Sequence, residues 1–175
     1  VHKKVAADNV RIIGKGEEFA LGEFMIKAFD VPHDSLENVG FTIRYGGSVF
    51  CLMTDIGHVT DDVSHAISLA DYLVIEANYD NEMLWSGTYP DYLKKRVSGG
   101  MGHLSNKQCA CAIRDYASDR LHHVWLCHLS EENNHPELAR KTVEVMLQEF
   151  DGKGLGKVCV DVFRRNVPSL MFELE

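Results

Sequence analysis

The feature that most constrains this chain is where its polar chemistry falls. Four short words occur in order: VPHDS at 31–35, TDIG at 54–57, GHLSN at 102–106 and CHLSEENN at 127–134. Each sets a His or an Asp just after an apolar run or in a tight turn. Side chains that leave a sheet at its strand ends share one edge, and open α/β folds build their sites along that edge. The pattern therefore calls for alternating strands and helices, with the chemistry gathered at one end.

The intervening text agrees. Residues 23–31 alternate in the strand manner, with Phe24, Ile26 and Ala28 on one side and Met25, Lys27 and Phe29 on the other. Residues 39–45 and 48–54 are β-rich runs joined by Gly46-Gly47, a pair that tolerates the positive φ of a tight hairpin. Residues 61–70 read as a helix, and 72–76 as a buried strand ending in Glu76. Residues 80–98 read as helix interrupted by Gly87 and Pro90. A helix follows over 106–118, capped by Ser105, then a strand over 122–128 that ends in His128. The last helix, 136–149, begins on Pro136, and its predicted apolar stripe is Leu138, Val143, Val145 and Met146, with Leu147 and Phe150 alongside. DGKGLGK is a loop and KVCVDVF a final strand. The alternation predicts an α/β fold with one antiparallel hairpin, in a single domain over 1–175.

Composition excludes several classes. No apolar run approaches the roughly 18 residues that span a bilayer. No signal peptide is visible, so a cytoplasmic location is expected. The first residue is Val1, which hints at a missing upstream piece. Five cysteines scattered through apolar segments read as buried free thiols, and Cys109 and Cys111 do not share a helix face. A net charge of −8 argues against general nucleic-acid affinity, and the clusters Lys94-Lys95-Arg96 and Arg164-Arg165 read as solvated surface.

His33, Asp55 and His128 each follow or close an apolar run. Imidazole nitrogens with a carboxylate suit Zn, Mn, Fe or Ni, and the two oxygens of Asp55 allow it to bridge two ions. Spacing alone is also compatible with capped turns or satisfied surface groups. Asp34 is a plausible partner for His33, and His58 a weaker candidate for the same edge. His65 reads as surface, His122 and His123 as structural, and His135 as a helix-start residue.

Taken together, PHDSLENVGFTI, TDIG, VIEANYD, SGGMGHLSN and LCHLSEENNHPELA resemble the YycJ/WalJ branch of the metallo-β-lactamase superfamily, over most of the chain from about residue 23. The resemblance implies an αββα sandwich, of which this chain holds the second half. It implies a metal-dependent hydrolase, in first place a phosphodiesterase or 5′-to-3′ exonuclease on DNA rather than RNA. Two divalent ions are implied, Zn or Mn ahead of Fe or Ni. By motif, His33 would bind the first ion, His128 the second, and Asp55 would bridge. His103 would protonate the leaving oxygen or stabilise charge, oriented by Glu76. Gly102, Ser105 and Asn106 would bind phosphate oxygens, and Asn133 and Asn134 would shape the pocket or hold the loop.

The chain departs from the family at one point: it contains no H-x-H-x-D-H. Each ion would then have two protein ligands, where catalytic sites normally have about three. The expected remedy is a missing N-terminal half, in the same protein or in a partner chain. An apolar sheet face without its second layer is expected too. The competing readings are a non-catalytic binding module or degenerate member of the fold, and a hydrolase of another ester such as a thioester or lactone.

Overall fold

A computed structural model of the chain describes residues 10–149 and 152–174; the predicted stripe residue Phe150 lies outside the described residues. The strands are β1 (Glu18–Leu21), β2 (Phe24–Asp30), β3 (Val39–Tyr45), β4 (Ser48–Met53), β5 (Tyr72–Glu76), β6 (His123–Cys127) and β7 (Cys159–Val162). The helices are α1 (Asp61–Leu69), α2 (Asn81–Ser86), α3 (Asp91–Val97), α4 (Asn106–Tyr116) and α5 (Pro136–Glu149). A 3-10 turn at Leu155–Lys157 lies within the predicted loop.

All seven strands form one sheet in sequential order. β1 to β4 pair antiparallel, and β4 to β7 pair parallel through helical crossovers. Gly46 and Gly47 have φ of 58° and 92°, the positive values that a two-residue hairpin between twisted strands demands. β1 is a strand that the sequence reading did not delimit.

One face of the sheet is covered. Cys51, Met53, Leu73, Ile75, Val124 and Leu126 from the strands pack against Val63 and Ile67 of α1, Cys109 and Ile113 of α4, and Ala139, Val143 and Leu147 of α5. The α5 stripe is displaced from its predicted position. Ala139, Val143 and Leu147 face the sheet, while Leu138 and Val145 are exposed. A small side chain at 139 lets the helix backbone approach, so the larger neighbour turns outward.

Among the described residues, no helix covers the other face. Cross-strand partners share a face, so Ile26, Ile43, Phe50, Tyr72, His123 and Cys159 follow one row and Phe41, Leu52, Val74, Trp125 and Asp161 the next. Tyr72, Val74, Trp125 and Cys127 form its buried centre, with Phe50 and Phe163 against them. Phe172, from the segment after β7, lies edge-on to Trp125 at 5.0 Å. Towards β2 and β4 the cover ends, and Phe24, Tyr45 and Leu52 are exposed. The Trp125 indole N–H is buried without an acceptor among the described residues. The structure thus contains one sheet and one helical layer of the expected sandwich. Among the described residues no helix is long and apolar enough to cross a membrane.

Candidate metal centre

The centre is built at the ends of β4, β5 and β6. Asp55 lies two residues after β4 with φ of 58°, and His128 directly after β6 with φ of 54°. Left-handed backbone at a non-glycine residue costs about 1 kcal/mol or more and needs surroundings that hold it there. Both are held. The Asn38 amide donates to the carbonyls of Thr54 (3.1 Å) and Asp55 (2.9 Å). The Asn78 amide donates to the His128 carbonyl at 2.8 Å.

Glu76 is the hub. It ends β5, is 0% exposed, and its two oxygens divide the work. Oε1 accepts from the backbone N–H of Leu104 (2.8 Å) and Ile56 (3.3 Å). Oε2 accepts from the Asp55 N–H (3.0 Å), His103 Nδ1 (3.0 Å) and His128 Nδ1 (2.6 Å). Burial pushes the carboxyl up, but the bonds from His103 and His128 outweigh it and hold Glu76 below its ordinary value. In return the bond to Glu76 raises His128 against its own burial, with the charges of Glu76 and Asp55 adding and that of Arg165 opposing.

This arrangement fixes tautomers. A carboxylate can only accept, so Nδ1 of His103 and of His128 carries the proton and each Nε2 keeps its lone pair when the ring is neutral. His33 is set the same way by another partner: its Nδ1 donates to the Gly102 carbonyl at 3.0 Å. The Nε2 atoms of His33 and His128 then stand 3.7 Å each from Asp55 Oδ1. The second Asp55 oxygen takes the Thr54 hydroxyl at 2.9 Å. Donors bound at about 2.0–2.2 Å to a shared ion stand roughly 3.2–3.6 Å apart, so the set fits divalent ions with little adjustment. Oδ1 is equidistant from the two imidazoles. Asp55, Glu76, His103 and His128 also have potential ligand atoms within 4.8 Å of one another. Glu76 accepts from all five of its donors and so holds the His103 and His128 rings in place.

The loop from α3 to α4 presses against the centre. The His103 N–H donates to Val97 O, Asp34 N–H to Met101 O and Gly57 N–H to Pro32 O. A Cβ on Gly102 would lie 2.2 Å from Arg96 O, so glycine is required by close approach. Gly102, Ser105 and Asn106, the three predicted phosphate-binding residues, are engaged internally. The Gly102 carbonyl holds His33. Ser105 is 1% exposed and caps α4 in a reciprocal box with Gln108. Asn106, also 1% exposed, exchanges bonds with Asn134, whose amide further reaches Ala77 O and Asn78 O. Asn133 is tied to Ser130. These residues brace the loops from behind the centre.

His58 Nδ1 pairs with Gly100 O at 2.7 Å and holds the glycine loop. His123 stacks on Trp125 and pairs with Asp161 at 2.8 Å, and His135 accepts from Glu137 N–H at the start of α5. Burial raises the thiols of Cys51 and Cys127 to about 12, so both are inert, with no disulfide among the described residues. Asn38, Asn78 and the second partnership of Glu76 escaped the sequence reading. Their only signal is a polar residue inside an otherwise apolar segment.

Comparison with known proteins places this geometry in a family. A model described as a β-lactamase superfamily domain matches residues 1–128. The chain is 35% identical over 153 residues to "Exodeoxyribonuclease YycJ" of Bacillus anthracis, covering 87% of this chain and 58% of that protein. It is 36% identical over 148 residues to "Exodeoxyribonuclease WalJ" of Streptococcus pneumoniae, covering 85% and 55%. It thus spans little more than half the length of these relatives. Among solved structures, Zn²⁺-bound PqqB from Methylobacterium extorquens superposes with a TM-score of 0.58 at 24% identity, over 81% of this chain and 50% of that one. With its strand-end histidines and shared aspartate, the chain belongs to the β-lactamase superfamily, in its metallo-β-lactamase-fold, YycJ/WalJ-like branch.

Proposed function

We propose that this chain carries one half of a dinuclear centre that hydrolyses DNA phosphodiesters from the 5′ end. The observation that supports it most is the convergence of His33 and His128 on one oxygen of Asp55, with each Nδ1 already occupied and each Nε2 open. His33, Asp55 and His128 would hold two divalent ions, Zn or Mn in first place, with the remaining ligands coming from an H-x-H-x-D-H segment upstream or in a partner chain. Bound ions of this kind activate water and neutralise charge on a phosphodiester.

The residues of this chain do the rest. His103 stands beside both ligand imidazoles, with ring centroids 5.0 Å from His33 and 5.2 Å from His128. Its Nδ1 is anchored to a buried carboxylate that stabilises the imidazolium, so its Nε2 can deliver a proton to the leaving oxygen. DNA as the substrate is supported by the names of the two curated relatives.

The test is digestion of 5′-phosphorylated, 3′-labelled DNA with added Zn²⁺ or Mn²⁺, by the chain alone and with a polypeptide carrying H-x-H-x-D-H. Release of 5′ nucleotides that is lost in Asp55→Ala, and lost in His103→Ala with metal retained, is the expected result. Turnover of a thioester or lactone with no Asp55-dependent cleavage of DNA would move the chain to the other ester classes.

A further inference from the structure

The chain carries −8 overall, and the centre itself is acidic, with Asp34, Asp55 and Glu76 within or beside it. Without bound ions, such a centre repels a polyanion unless other cations stand close by. At about 0.1 M salt charges are screened over roughly 10 Å, so only cations on the rim decide the matter. Of the residues predicted to bind phosphate, Ser105 and Asn106 are buried in internal bonds and Gly102 lends its carbonyl to His33, which leaves that task without an owner.

The two short basic clusters divide in an informative way. Lys94 is buried and donates to the Trp85 carbonyl at 2.9 Å, and Lys95 is exposed to solvent. Arg96, 61% exposed, turns to the centre and grips Asp34 through two bonds of 2.6 and 3.1 Å. Asp34 in turn lies 3.4 Å from His33 Nε2, and Arg96 shares a small cleft with His33, Gly102 and His103. On the other flank Arg165, exposed beyond β7, donates to the carbonyl of Leu129, the residue after His128, at 2.9 Å. One guanidinium therefore stands beside each of the two imidazoles that share Asp55 Oδ1. Each keeps N–H donors beyond those bonds, in the planar fork that suits phosphate oxygens.

We propose that Arg96 and Arg165 straddle the centre as phosphate-binding residues, holding a nucleic-acid strand on either side of the scissile bond. The proposal rests on the phosphodiesterase reading above. Asp34 keeps the Arg96 guanidinium oriented and partly neutralised until a phosphate replaces it.

The test is binding, free of turnover. Fluorescence anisotropy of a 5′-phosphorylated single-stranded oligonucleotide is followed in EDTA, from 50 mM salt upward, for the wild-type chain, Arg96→Ala, Arg165→Ala, Asp34→Asn, and Lys141→Ala of α5 as a control of equal charge change. Each arginine variant is expected to bind about tenfold more weakly, the loss of one charge-assisted bond. Its plot of log affinity against log salt should be shallower by about one. Lys141→Ala should match wild type, and Asp34→Asn should bind as tightly or more tightly, because Arg96 is released. Arginine variants within twofold of wild type, with unchanged slope, overturn the proposal. So does Asp34→Asn falling in step with Arg96→Ala, which makes the pair a brace for the His33 loop. A wild-type chain that binds no oligonucleotide at the lowest salt strikes instead at the nucleic-acid reading on which the proposal stands.

Discussion

Replacing Glu76 by Gln tests the logic of this centre with the smallest change of shape. Glu76 presents two oxygens to two groups of donors: Leu104 and Ile56 N–H on one side, Asp55 N–H, His103 and His128 on the other. An amide has one acceptor oxygen and one NH2, so one group must face a donor whichever way it turns. With the oxygen toward Leu104 and Ile56, the imidazoles can shift their protons to Nε2 and accept at Nδ1. The fold survives at the cost of an unpaired Asp55 N–H, about 1–3 kcal/mol. His128 Nε2 then carries hydrogen where an ion needs a lone pair, and affinity should fall about 10–100-fold or more. With the oxygen toward the imidazoles, the tautomers persist but two buried backbone N–H groups lose their acceptor, about 2–6 kcal/mol together. At about 2–4 °C per kcal/mol for a domain of this size, the midpoint of that loss lowers Tm by roughly 8–16 °C. Stability and metal affinity cannot both be kept. Thermal melts of metal-free protein, Zn²⁺ titration against a competing chelator, and nitrogen NMR of the ring tautomers read the three quantities. A Glu76→Gln chain with wild-type Tm and wild-type Zn²⁺ affinity would refute the reasoning.

Three further outcomes follow from the same contacts. Asp55→Gly should be more stable than Asp55→Ala by about 1 kcal/mol, because glycine adopts a φ of 58° freely, while both lose metal alike; equal melting temperatures would deny that the backbone there is strained. Gly102→Ala puts a methyl 2.2 Å from Arg96 O and should cost about 1–3 kcal/mol and weaken Zn²⁺ binding through His33, as calorimetry can show. Finally, the Glu76 carboxyl is held low by His103 and His128 against its burial. Such a carboxylate contributes stability that is complete above its unfolded value of about 4.3 and lost as pH falls through the lower folded value. Wild type and Glu76→Gln should therefore converge in Tm as pH drops below about 4.3, and a constant offset down to the acid end would contradict this.

The parts of this fold that were legible in the sequence are those with a local signature. Gly46-Gly47 announces its hairpin because positive φ has few tenants. His33, Asp55 and His128 could be grouped because each follows or closes an apolar run, and strand ends of one sheet share an edge; Glu76 and His103 joined them through the family words around them. What brings them to the right angle was not legible. Asn38 reaches 16 and 17 residues ahead, Asn78 reaches 50, and Asn134 reaches back 57 and 56. Such bonds have no period, and asparagine in a loop is ordinary. Ser105 and Asn106 illustrate the converse: polar residues next to a candidate catalytic histidine invite a substrate role, yet the Ser105 hydroxyl caps α4 and the Asn106 amide pairs with that of Asn134 in the interior. In α5 the error was one of scale. Large apolar positions mark Leu138 and Val145 for the stripe, whereas close packing against a sheet favours alanine at 139 and turns Leu138 out.

Two shortfalls of this chain share a location. On the proposed reading, each imidazole that faces Asp55 Oδ1 would leave its ion with two ligands from this chain, about one fewer than a catalytic site uses. Among the described residues, the sheet face through Phe50, Tyr72, Val74 and Trp125 lacks a second layer, and Trp125 keeps a buried N–H without an acceptor. That face runs along β5 and β6 to their ends, where Glu76 and His128 begin the centre. On the proposed reading, one polypeptide laid on the face would bury the apolar rows and bring the absent H-x-H-x-D-H ligands to the ions in a single event. Adding such a polypeptide should therefore quench binding of a hydrophobic dye and raise bound Zn²⁺ toward two per chain, both saturating at the same ratio of the two proteins. Dye release without added Zn²⁺ would make the face a docking surface unconnected with the centre. Added Zn²⁺ with the dye still bound would mean that the ligands arrive by another route.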